Sequence, residues 1–530
     1  MASEAREPNI NILVGVGGTG AKVVEATLIQ LLAGMLDEEV YVGLVDQDEA
    51  NGNVFRAKNL VSLQQRFRRL WTAPANRIEW NSGDLQALGA TGIHPLYSEK
   101  GDADVVYRPN AGGESLGNML GKGLSKPQQA LFDLLFMNDK EEQHLQLDEG
   151  YRGRAHVGSA AFLAALASGP NKLFDSIQRI AEKSNGAKIN VFFIGSAFGG
   201  TGAAGFPTLA RNLHRMRRDR AFPNAQNIRI GGLLMLPYFN FNAPEKEEQA
   251  VVTADELLPK TKLALEYYHN LRQHERSFDL FYTLGWPEQY PLGYHEPGAN
   301  EQANPALPTE MLGASAAIHF FRRMNDYADT QETVSFLSAH DDDWIDWRDV
   351  PNDAPAENEA MRKLGQLLRF AAYWKYAFEP ELSKPVRGLL GGGRNRAQKL
   401  ADKAHPADHQ EEIEVLGELL TSILNWFATI DATADRVSGG QRMWSTDQIN
   451  DQRYEGVPTR PVQVAGAIYE DYWEQAFDSL VIKGESGIGG RSASAIFAEL
   501  TAASAPARHA GMGKALVQVY EACRLYEEGA

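Results

Sequence analysis

A glycine-rich segment near the middle of the chain is of the type that binds anions. Residues 191–194 are β-branched or aromatic, which is typical of a buried parallel strand. A glycine run follows, and we expect Pro207 to lie in the first turn of the next helix. Glycine lets backbone N–H groups converge, and the helix dipole favours negative charge at the helix N-terminus. The candidate binding residues are Ser196, Gly199, Gly200, Thr201 and Gly202.

A second glycine-rich segment lies close to the N-terminus. It follows a predicted strand at 10–14 and precedes a predicted helix, and a second strand at 40–45 ends at two carboxylates. This is the pattern of a βαβ unit with a phosphate-binding first turn. Its candidate residues are Gly15, Gly17, Gly18, Thr19, Gly20, Asp46 and Asp48. GxGGxG alone occurs in NAD, FAD and ATP folds, and a single glycine loop can be a turn without a ligand, but two such loops favour nucleotide binding.

A third segment, 150–158, places two arginines among glycines in front of an alanine-rich helix. Guanidinium groups match the oxygens of a phosphate tail, so Gly153 and Arg154 are candidates for contacting one. An exposed basic turn without a ligand is the alternative.

The composition is that of an ordinary globular protein, with 43% hydrophobic and 23% charged residues among 530. The net charge of −17 disfavours nonspecific binding to nucleic acid or to an anionic membrane. The single cysteine, Cys523, excludes an intrachain disulfide and a cysteine-rich metal site, and we assign no metal ligands. We find no apolar stretch long enough to span a bilayer and no signal-peptide core, so we expect a soluble cytoplasmic protein.

The order of helix and strand patterns predicts an α/β fold, with a mostly parallel sheet, helices on both faces and a mainly helical C-terminal region. We expect a nucleotide-binding domain at 1–300 that contains an insertion at about 50–149. A core helix and an acidic loop follow at 301–350, and a mainly α-helical domain at 351–530.

Together these segments resemble the tubulin/FtsZ superfamily, in particular its divergent bacterial tubulin-like members. The stretch 191–207 is similar to the family's glycine box, with residues 199–202 matching and the proline in register. Residues 14–23 resemble the first phosphate loop, and 46–48 lie where the second loop would be. Residues 150–160 resemble the loop that faces the γ-phosphate, and the resemblance extends from residue 10 to about 350.

The resemblance implies a GTP- or GDP-binding protein in which Mg²⁺ is carried by the nucleotide. It also implies GTP hydrolysis at a head-to-tail contact, where the acidic loop of one subunit completes the nucleotide site of the next. In that loop Asp346 and Asp349 would polarise the attacking water, and Asn304 matches the residue that reads guanine. An acidic surface turn is the alternative for the two aspartates, and a helix N-cap is the alternative for Asn304.

The sequence departs from the family pattern in several places. Phe198 and Ala204 replace a small residue and a glycine of the glycine box, and Trp344 stands where an asparagine is usual. We do not see the small mixed sheet that the family places after its core helix. The helical C-terminal region is instead a candidate surface for a protein partner.

Two other functions stay open. An ATP-using adenylating enzyme of the ubiquitin-activating type is indicated by the first glycine loop together with Asp46, Asp48, Asn53 and Arg56, but it gives no role to the second glycine loop. A non-catalytic nucleotide-binding scaffold, whose helical domain binds a partner, is the third possibility. We expect neither a nucleic acid nor a membrane as a partner.

Overall fold

The computed structural model describes most of the chain, including both glycine-rich segments, whereas Trp344 of the acidic run lies outside the described residues. The described residues are 9–48, 51–72, 78, 85, 87–89, 91–98, 104–110, 112, 114–136, 142–147, 150–151, 153–169, 171–241, 256–287, 289–292, 304–327, 330, 332–337, 345–347, 349–350, 358–382, 384, 396–401, 406–437, 442–446, 477–483, 487–502 and 511–527.

Most of the strands belong to one parallel sheet. The strands are β1 (Asn9–Val16), β2 (Val40–Val45), β3 (Ile93–Pro95), β4 (Val106–Tyr107), β5 (Lys188–Ser196), β6 (Ile228–Met235), β7 (Phe239–Phe241), β8 (Leu280–Leu284), β9 (Tyr290–Leu292), β10 (Val334–Leu337), β11 (Ile488–Gly490) and β12 (Leu525–Glu527). The main sheet has the order β10-β8-β6-β5-β1-β2-β3, and β4 also pairs with β2. Separately, β7 pairs with β9 in parallel, and β11 pairs with β12 in antiparallel orientation.

The strand order reverses between β1 and β5, which are neighbours in the sheet. The chain first moves outward from β1 to β2 and β3, and later moves from β5 to β6 and β8 in the opposite direction. Because β-to-β crossovers are right-handed, the helices that follow β1 and β5 lie on opposite faces of the sheet. Both strands contain an apolar run, at 12–14 in β1 and at 191–194 in β5, since both of their faces are buried.

The helices have the following bounds. They are α1 (Gly17–Leu32), α2 (Gly52–Thr72), α3 (Leu116–Leu120), α4 (Lys126–Leu135), α5 (Ala155–Ala167), α6 (Lys172–Glu182), α7 (Gly200–Arg218), α8 (Leu257–His274), α9 (Pro308–Arg323), α10 (Glu359–Tyr373), α11 (Glu379–Leu382), α12 (Arg396–Leu400), α13 (Gln410–Val437), α14 (Ala493–Ala502) and α15 (Gly511–Ala522). A π-helical turn at Trp374–Phe378 joins α10 to α11.

Two helical layers enclose the sheet, one on each face. The apolar side chains of α1, α2 and α9 belong to a core on one face, and those of α5, α6 and α7 belong to a second core on the other face. The prediction of an α/β fold with a parallel sheet and helices on both faces is therefore confirmed.

The C-terminal region is mainly helical, as predicted, and it extends the first of these two cores. The indole of Trp71 at the end of α2 donates a hydrogen bond to the Glu412 carbonyl oxygen at 3.3 Å and lies edge-on to Trp374. Thr433 on α13 donates to the carbonyl oxygen of Ala306, just before α9, at 3.0 Å. The C-terminal helices thus form an outer layer over α2 and α9.

We expected no segment long and apolar enough to cross a membrane, but one helix meets these two criteria. Among the described residues, only the window Gln410–Ala434 of α13 meets the criteria of length and composition, with a mean hydropathy of 1.3. Two-thirds of this window (67%) is buried inside the protein, where α13 packs between α2 and α10. Such burial is that of a core helix in a folded domain.

The prediction that Pro207 lies in the first turn of its helix is wrong. Helix α7 begins at Gly200, so Pro207 lies in its third turn, where it removes the donor that would bond the carbonyl oxygen of Ala203. The glycines themselves form the first helical turn. Glycine is needed at positions 200 and 202, because a side chain on Gly200 or Gly202 would collide with neighbouring backbone.

Part of the segment that we treat as an insertion belongs to the main sheet. Within 50–149, α2 packs against α1, and the short strands β3 and β4 both pair with β2. These strands have only three and two residues, which is too short for a periodic pattern in the sequence.

We predict that Glu359 joins α9 to α10 in a pH-dependent way. It accepts hydrogen bonds from both terminal nitrogens of Arg322, at 3.0 and 2.9 Å, and forms an ion pair with Lys363 at 2.9 Å. Burial would raise the pKa of Glu359, but the hydrogen bonds from Arg322 and Lys363 outweigh it and lower the pKa to about 2. The stabilisation is therefore complete above the unfolded-state pKa of about 4.5 and is lost as the pH falls from there towards 2.

We expect Glu359→Gln to lower the free energy of unfolding by about 1–2 kcal/mol at pH 7, and by less at pH 4. Urea unfolding at both pH values measures the two differences. Glu418→Gln, which removes an exposed partner of Arg66, is the control and should cost less than about 0.5 kcal/mol. An equal loss at both pH values for Glu359→Gln would contradict the assignment.

Candidate functional site

The candidate site lies at the carboxyl ends of β1 and β5. These strands are adjacent, with Gly15 of β1 opposite Ile194 of β5, and each leads into a helix at the same edge of the sheet. Helix α1 begins at Gly17, directly after β1, and α7 begins at Gly200, four residues after Ser196. In open α/β sheets, ligands bind at the point where the strand order reverses, and this is that point.

The two glycine turns are in direct contact. Gly17 has φ +74°, and a Cβ atom on it would lie 3.0 Å from the backbone nitrogen of Gly202. A Cβ on Gly202 would lie 2.8 Å from Oγ of Ser196, and one on Gly20 would lie 2.7 Å from the carbonyl oxygen of Ile194. The glycines are therefore required by close backbone approach, and the two turns form one continuous surface.

Both helix N-termini at this surface are suited to an anion. Neither α1 nor α7 has a side chain that caps its first N–H groups, and neither has an acidic residue in its first turn. The first N–H groups of a helix have no partner within the helix, and the macrodipole places partial positive charge there. Two such ends side by side favour a ligand with more than one negative charge.

The threonines of the two turns interact with the protein itself. Thr201 donates a hydrogen bond from its hydroxyl to Oδ1 of Asp46 at 3.3 Å, and the Thr19 side chain interacts with the phenol of Tyr238. Each threonine thus connects its own turn to a neighbouring element. At both positions the backbone N–H, rather than the side chain, is the group available to a ligand.

Asp46 holds the turn after β2 against the second glycine turn. Besides the Thr201 hydroxyl, it accepts hydrogen bonds from the backbone N–H of Gln47 at 2.8 Å and from Nδ2 of Asn51 at 2.9 Å. It is 2% exposed, and burial, with the nearby charge of Asp48, raises its pKa to about 6. Asn51 also lies over the first turn, since a Cβ on Gly18 would be 2.8 Å from its Nδ2.

The segment 150–154 completes the site from a third side. A Cβ on Gly200 would lie 2.9 Å from the backbone nitrogen of Gly153, so this segment touches the N-terminus of α7. The guanidinium of Arg154 is directed to the buried Glu142, with Nε 3.8 Å from Oε1. The structure thus brings the Gly153 backbone to the site but pairs the Arg154 side chain with a carboxylate.

Asn53 connects Asn304 to the first glycine turn. The backbone N–H of Asn304 donates to Oδ1 of Asn53 at 3.1 Å, and the Asn304 carbonyl oxygen accepts from Arg56 at 3.0 Å. Arg56 also donates from Nε to both carboxylate oxygens of Glu25 on α1 at 3.0 Å. Arg56, a candidate ATP-binding residue of an adenylating enzyme, is therefore engaged within the protein.

A buried ionic cluster supports the first turn from the side of α9. Lys22 on α1 forms an ion pair with Glu310 on α9, and both side chains are almost fully buried. Tyr238 donates to Oε1 of Glu310 at 2.8 Å and also interacts with Thr19, so the cluster connects the glycine turn to α9. Burial lowers the pKa of Lys22, and the ion pair with Glu310 opposes that shift.

The two candidate catalytic aspartates share one turn beside the C-terminal region. Asp346 and Asp349 form a turn in which the backbone N–H of Asp346 donates to Oδ2 of Asp349 at 2.7 Å. Trp347 anchors the turn to the C-terminal region, donating to the carbonyl oxygen of Ile482 at 2.9 Å and packing against Trp444.

Sequence reasoning missed several residues that build the site. Asn51 and Tyr238 carry no local pattern, because each acts through a partner from another element. Lys22 could have been noticed, since it and Glu25 are the two charged residues of a predicted helix that is mostly apolar. Tyr151, which packs against Gly200, lies between the two glycines of its segment and was not singled out.

Comparison of the sequence with protein-family models gives no match, and no curated protein matches it.

We predict that Asp46→Asn changes the pH dependence of stability. Because the folded pKa is about 6 and the ordinary value is 3.8, Asp46 takes up a proton on folding between these values. Wild-type stability therefore falls as the pH rises through this range. Relative to wild type, the variant should gain on the order of 2 kcal/mol between pH 4.5 and 7.5.

Urea unfolding of both proteins at the two pH values measures this change. Asp326→Asn, at an exposed aspartate paired with Arg323, is the control and should show a change below about 0.5 kcal/mol. A difference between wild type and Asp46→Asn that is the same at both pH values would contradict the burial argument.

Proposed function

We propose that the chain is a tubulin-like nucleotide-binding protein whose ligand is GTP or GDP. The observation that carries the proposal is the contact between two uncapped helix N-termini at the point where the strand order reverses. This arrangement offers backbone N–H groups from two directions, which suits a di- or triphosphate. The order of the segments along the chain, which resembles that of the tubulin/FtsZ superfamily, supports the family and the base.

In this proposal the two glycine turns and Gly153 bind phosphate oxygens through their backbone. Thr19, Thr201 and Ser196 fix the turns in place through their side chains. Asp46 and Asp48 lie at the same edge, next to the phosphate region, where Mg²⁺ carried by the nucleotide would supply positive charge at the leaving phosphate. Asn53 lies between the first turn of α1 and Asn304. We propose that Asn304 is the residue near the base.

We propose that hydrolysis requires a second copy of the chain. Asp346 and Asp349 lie in one turn, which Trp347 anchors to the C-terminal region. Head-to-tail association would bring this turn to the nucleotide of the next subunit, where a carboxylate orients the attacking water. The cytoplasm, where GTP is abundant, is the proposed location.

The adenylating-enzyme alternative receives less support from the site. It assigns ATP contacts to Arg56, which bonds Glu25 and the Asn304 carbonyl oxygen. It also leaves the second glycine turn without a role, although that turn contacts the first. A scaffold that binds nucleotide without hydrolysis shares the same site and differs only in the role of Asp346 and Asp349.

We predict that the purified protein binds a guanine nucleotide through the paired turns. Nucleotide released by denaturation and identified by chromatography should be GTP or GDP. Gly17→Ala should weaken binding at least about 100-fold in a titration with fluorescent GDP, because a methyl group at φ +74° would press on the Gly202 nitrogen.

Gly123→Ala is the matched control for this variant. Gly123 has φ +78°, and a Cβ there would meet nothing within 4 Å, so the variant has similar backbone strain but keeps the site. Its nucleotide affinity should equal that of wild type. Release of ATP or AMP, or equal affinities of the two variants, would contradict the proposed site.

A mixing experiment tests whether the aspartates act on a second copy. The double variant Asp346→Ala/Asp349→Ala and the variant Gly17→Ala should each hydrolyse GTP at least about 10-fold more slowly than wild type. An equimolar mixture should recover about a quarter of wild-type turnover, since one contact in four then joins an intact nucleotide site to an intact aspartate turn.

Phosphate release from each protein and from the mixture measures this recovery. Asp326→Ala, which removes an exposed aspartate elsewhere, is the control and should keep wild-type turnover. Full turnover in the double aspartate variant would favour the non-catalytic role of this turn. Turnover in the mixture no greater than the mean of its components would contradict action between copies.

A further inference from the structure

The side-chain amide of Asn53 lies beside the first glycine turn and has a fixed orientation. Asn53 is the second residue of α2, and it is 1% exposed. Its Oδ1 atom accepts hydrogen bonds from the backbone N–H of Asn304 at 3.1 Å and from Nη2 of Arg56 at 3.3 Å. Because both of these groups are donors, the oxygen of the amide must face them, and the donor Nδ2 is directed away from them.

The donor Nδ2 of Asn53 faces the first glycine turn. A Cβ atom on Gly18 would lie 3.5 Å from it, and Gly18 is in the first turn of α1, whose N-terminus no side chain caps. Nδ2 donates no hydrogen bond to any residue that the structure describes. A polar group on so buried a side chain is normally paired, so Nδ2 is available to an acceptor from outside the chain.

The neighbouring Asn51 differs from Asn53, because both ends of its amide are engaged within the protein. A Cβ atom on Gly18 would lie 2.8 Å from Nδ2 of Asn51, and this nitrogen donates to Oδ2 of Asp46 at 2.9 Å. Oδ1 of Asn51 accepts from the backbone N–H of Asn53 at 3.1 Å. Two amides therefore lie over the same turn, and of the two it is Asn53 that offers a donor to a ligand.

We propose that Nδ2 of Asn53 donates a hydrogen bond to a hydroxyl oxygen of the ligand's ribose. This inference rests on the proposed function, in which the helix N-termini bind the phosphates and Asn304 lies near the base. Asn53 lies between these two regions, since it borders Gly18 on one side and bonds Asn304 on the other. In a nucleotide the ribose joins the phosphates to the base, so the sugar is the part of the ligand that comes to Asn53.

The charges around Asn53 also favour a neutral partner such as a sugar hydroxyl. Arg56 donates from Nε to both carboxylate oxygens of Glu25, so the cation beside Asn53 is paired with an anion. The phosphates are attracted instead to the partial positive charge of the helix N-termini. A site that hydrogen-bonds a hydroxyl discriminates strongly against an analogue that lacks it, because a polar group of the site is then left unpaired. Asn53 is therefore a residue that selects ribonucleotides.

Isothermal titration calorimetry of the full chain, freed of bound nucleotide, tests this contact with two ligands. GDP has both sugar hydroxyls and 2′,3′-dideoxy-GDP has neither, so the ratio of their dissociation constants measures what the hydroxyls contribute. Wild type should bind GDP at least about 10-fold more tightly, because the dideoxy compound leaves Nδ2 of Asn53 unpaired. In Asn53→Ala the two ligands should bind within about 2-fold of each other. A change that only disturbs the turn would weaken both ligands and leave the ratio as it is.

Arg56→Lys is the matched control, because it alters a donor to Oδ1 of Asn53 and keeps Nδ2, so it should keep the wild-type ratio. Circular dichroism establishes that the variants are folded, and Asn53→Ser, which should lose the ratio as well, replaces Asn53→Ala if that variant does not fold. A wild type that binds both ligands equally overturns the sugar contact and leaves the proposed function intact. The wild-type ratio in a folded Asn53→Ala, or its loss in Arg56→Lys, also overturns the contact. A wild type that binds neither ligand contradicts the proposed function itself, and this inference with it.

Discussion

The contact between Gly17 and Gly202 is the constraint on which the rest of the site depends. It exists because the strand order reverses between β1 and β5, so that α1 and α7 leave adjacent strands towards opposite faces of the sheet. Their N-termini can meet only if no side chain lies between them. Glycine at these positions is therefore a packing requirement of the fold as well as a way to expose backbone N–H groups.

Helix α9 connects this contact to the C-terminal layer. Near its beginning, Glu310 joins Lys22 and Tyr238 beside the first glycine turn, and at its end Arg322 bonds Glu359 on α10. Buried ion pairs add little net stability, but removing one partner is costly because it leaves an uncompensated charge. The cluster at Glu310 thus connects α9 to α1, and the bond from Arg322 to Glu359 connects the same helix to α10.

The sequence was informative where a feature depends on neighbouring residues. The glycine turns, the carboxylates after β2 and the alternation of helices and strands are local patterns, and the alternation predicts a mostly parallel sheet with helices on both faces. The position of Pro207 was predicted wrongly, because proline is most common in the first turn of a helix. Here closely packed glycines form that first turn, and Pro207 lies in the third turn. The side chain of Arg154 and the anchoring of Trp347 depend on partners distant in sequence, which no spacing reveals.

The two threonines show why the glycines carry the pattern of the proposed site. A hydroxyl at the proposed ligand surface could bond a phosphate, but here Thr201 bonds Asp46 and Thr19 interacts with Tyr238. Each turn is thereby fixed to a different element, one to the end of β6 and the other to the end of β2. In the proposed site, the contacts to an anion are then left to main-chain N–H groups, whose direction is set by the helices. Binding of this kind requires a particular backbone path and the glycines that permit it. It requires little of the identity of the other side chains.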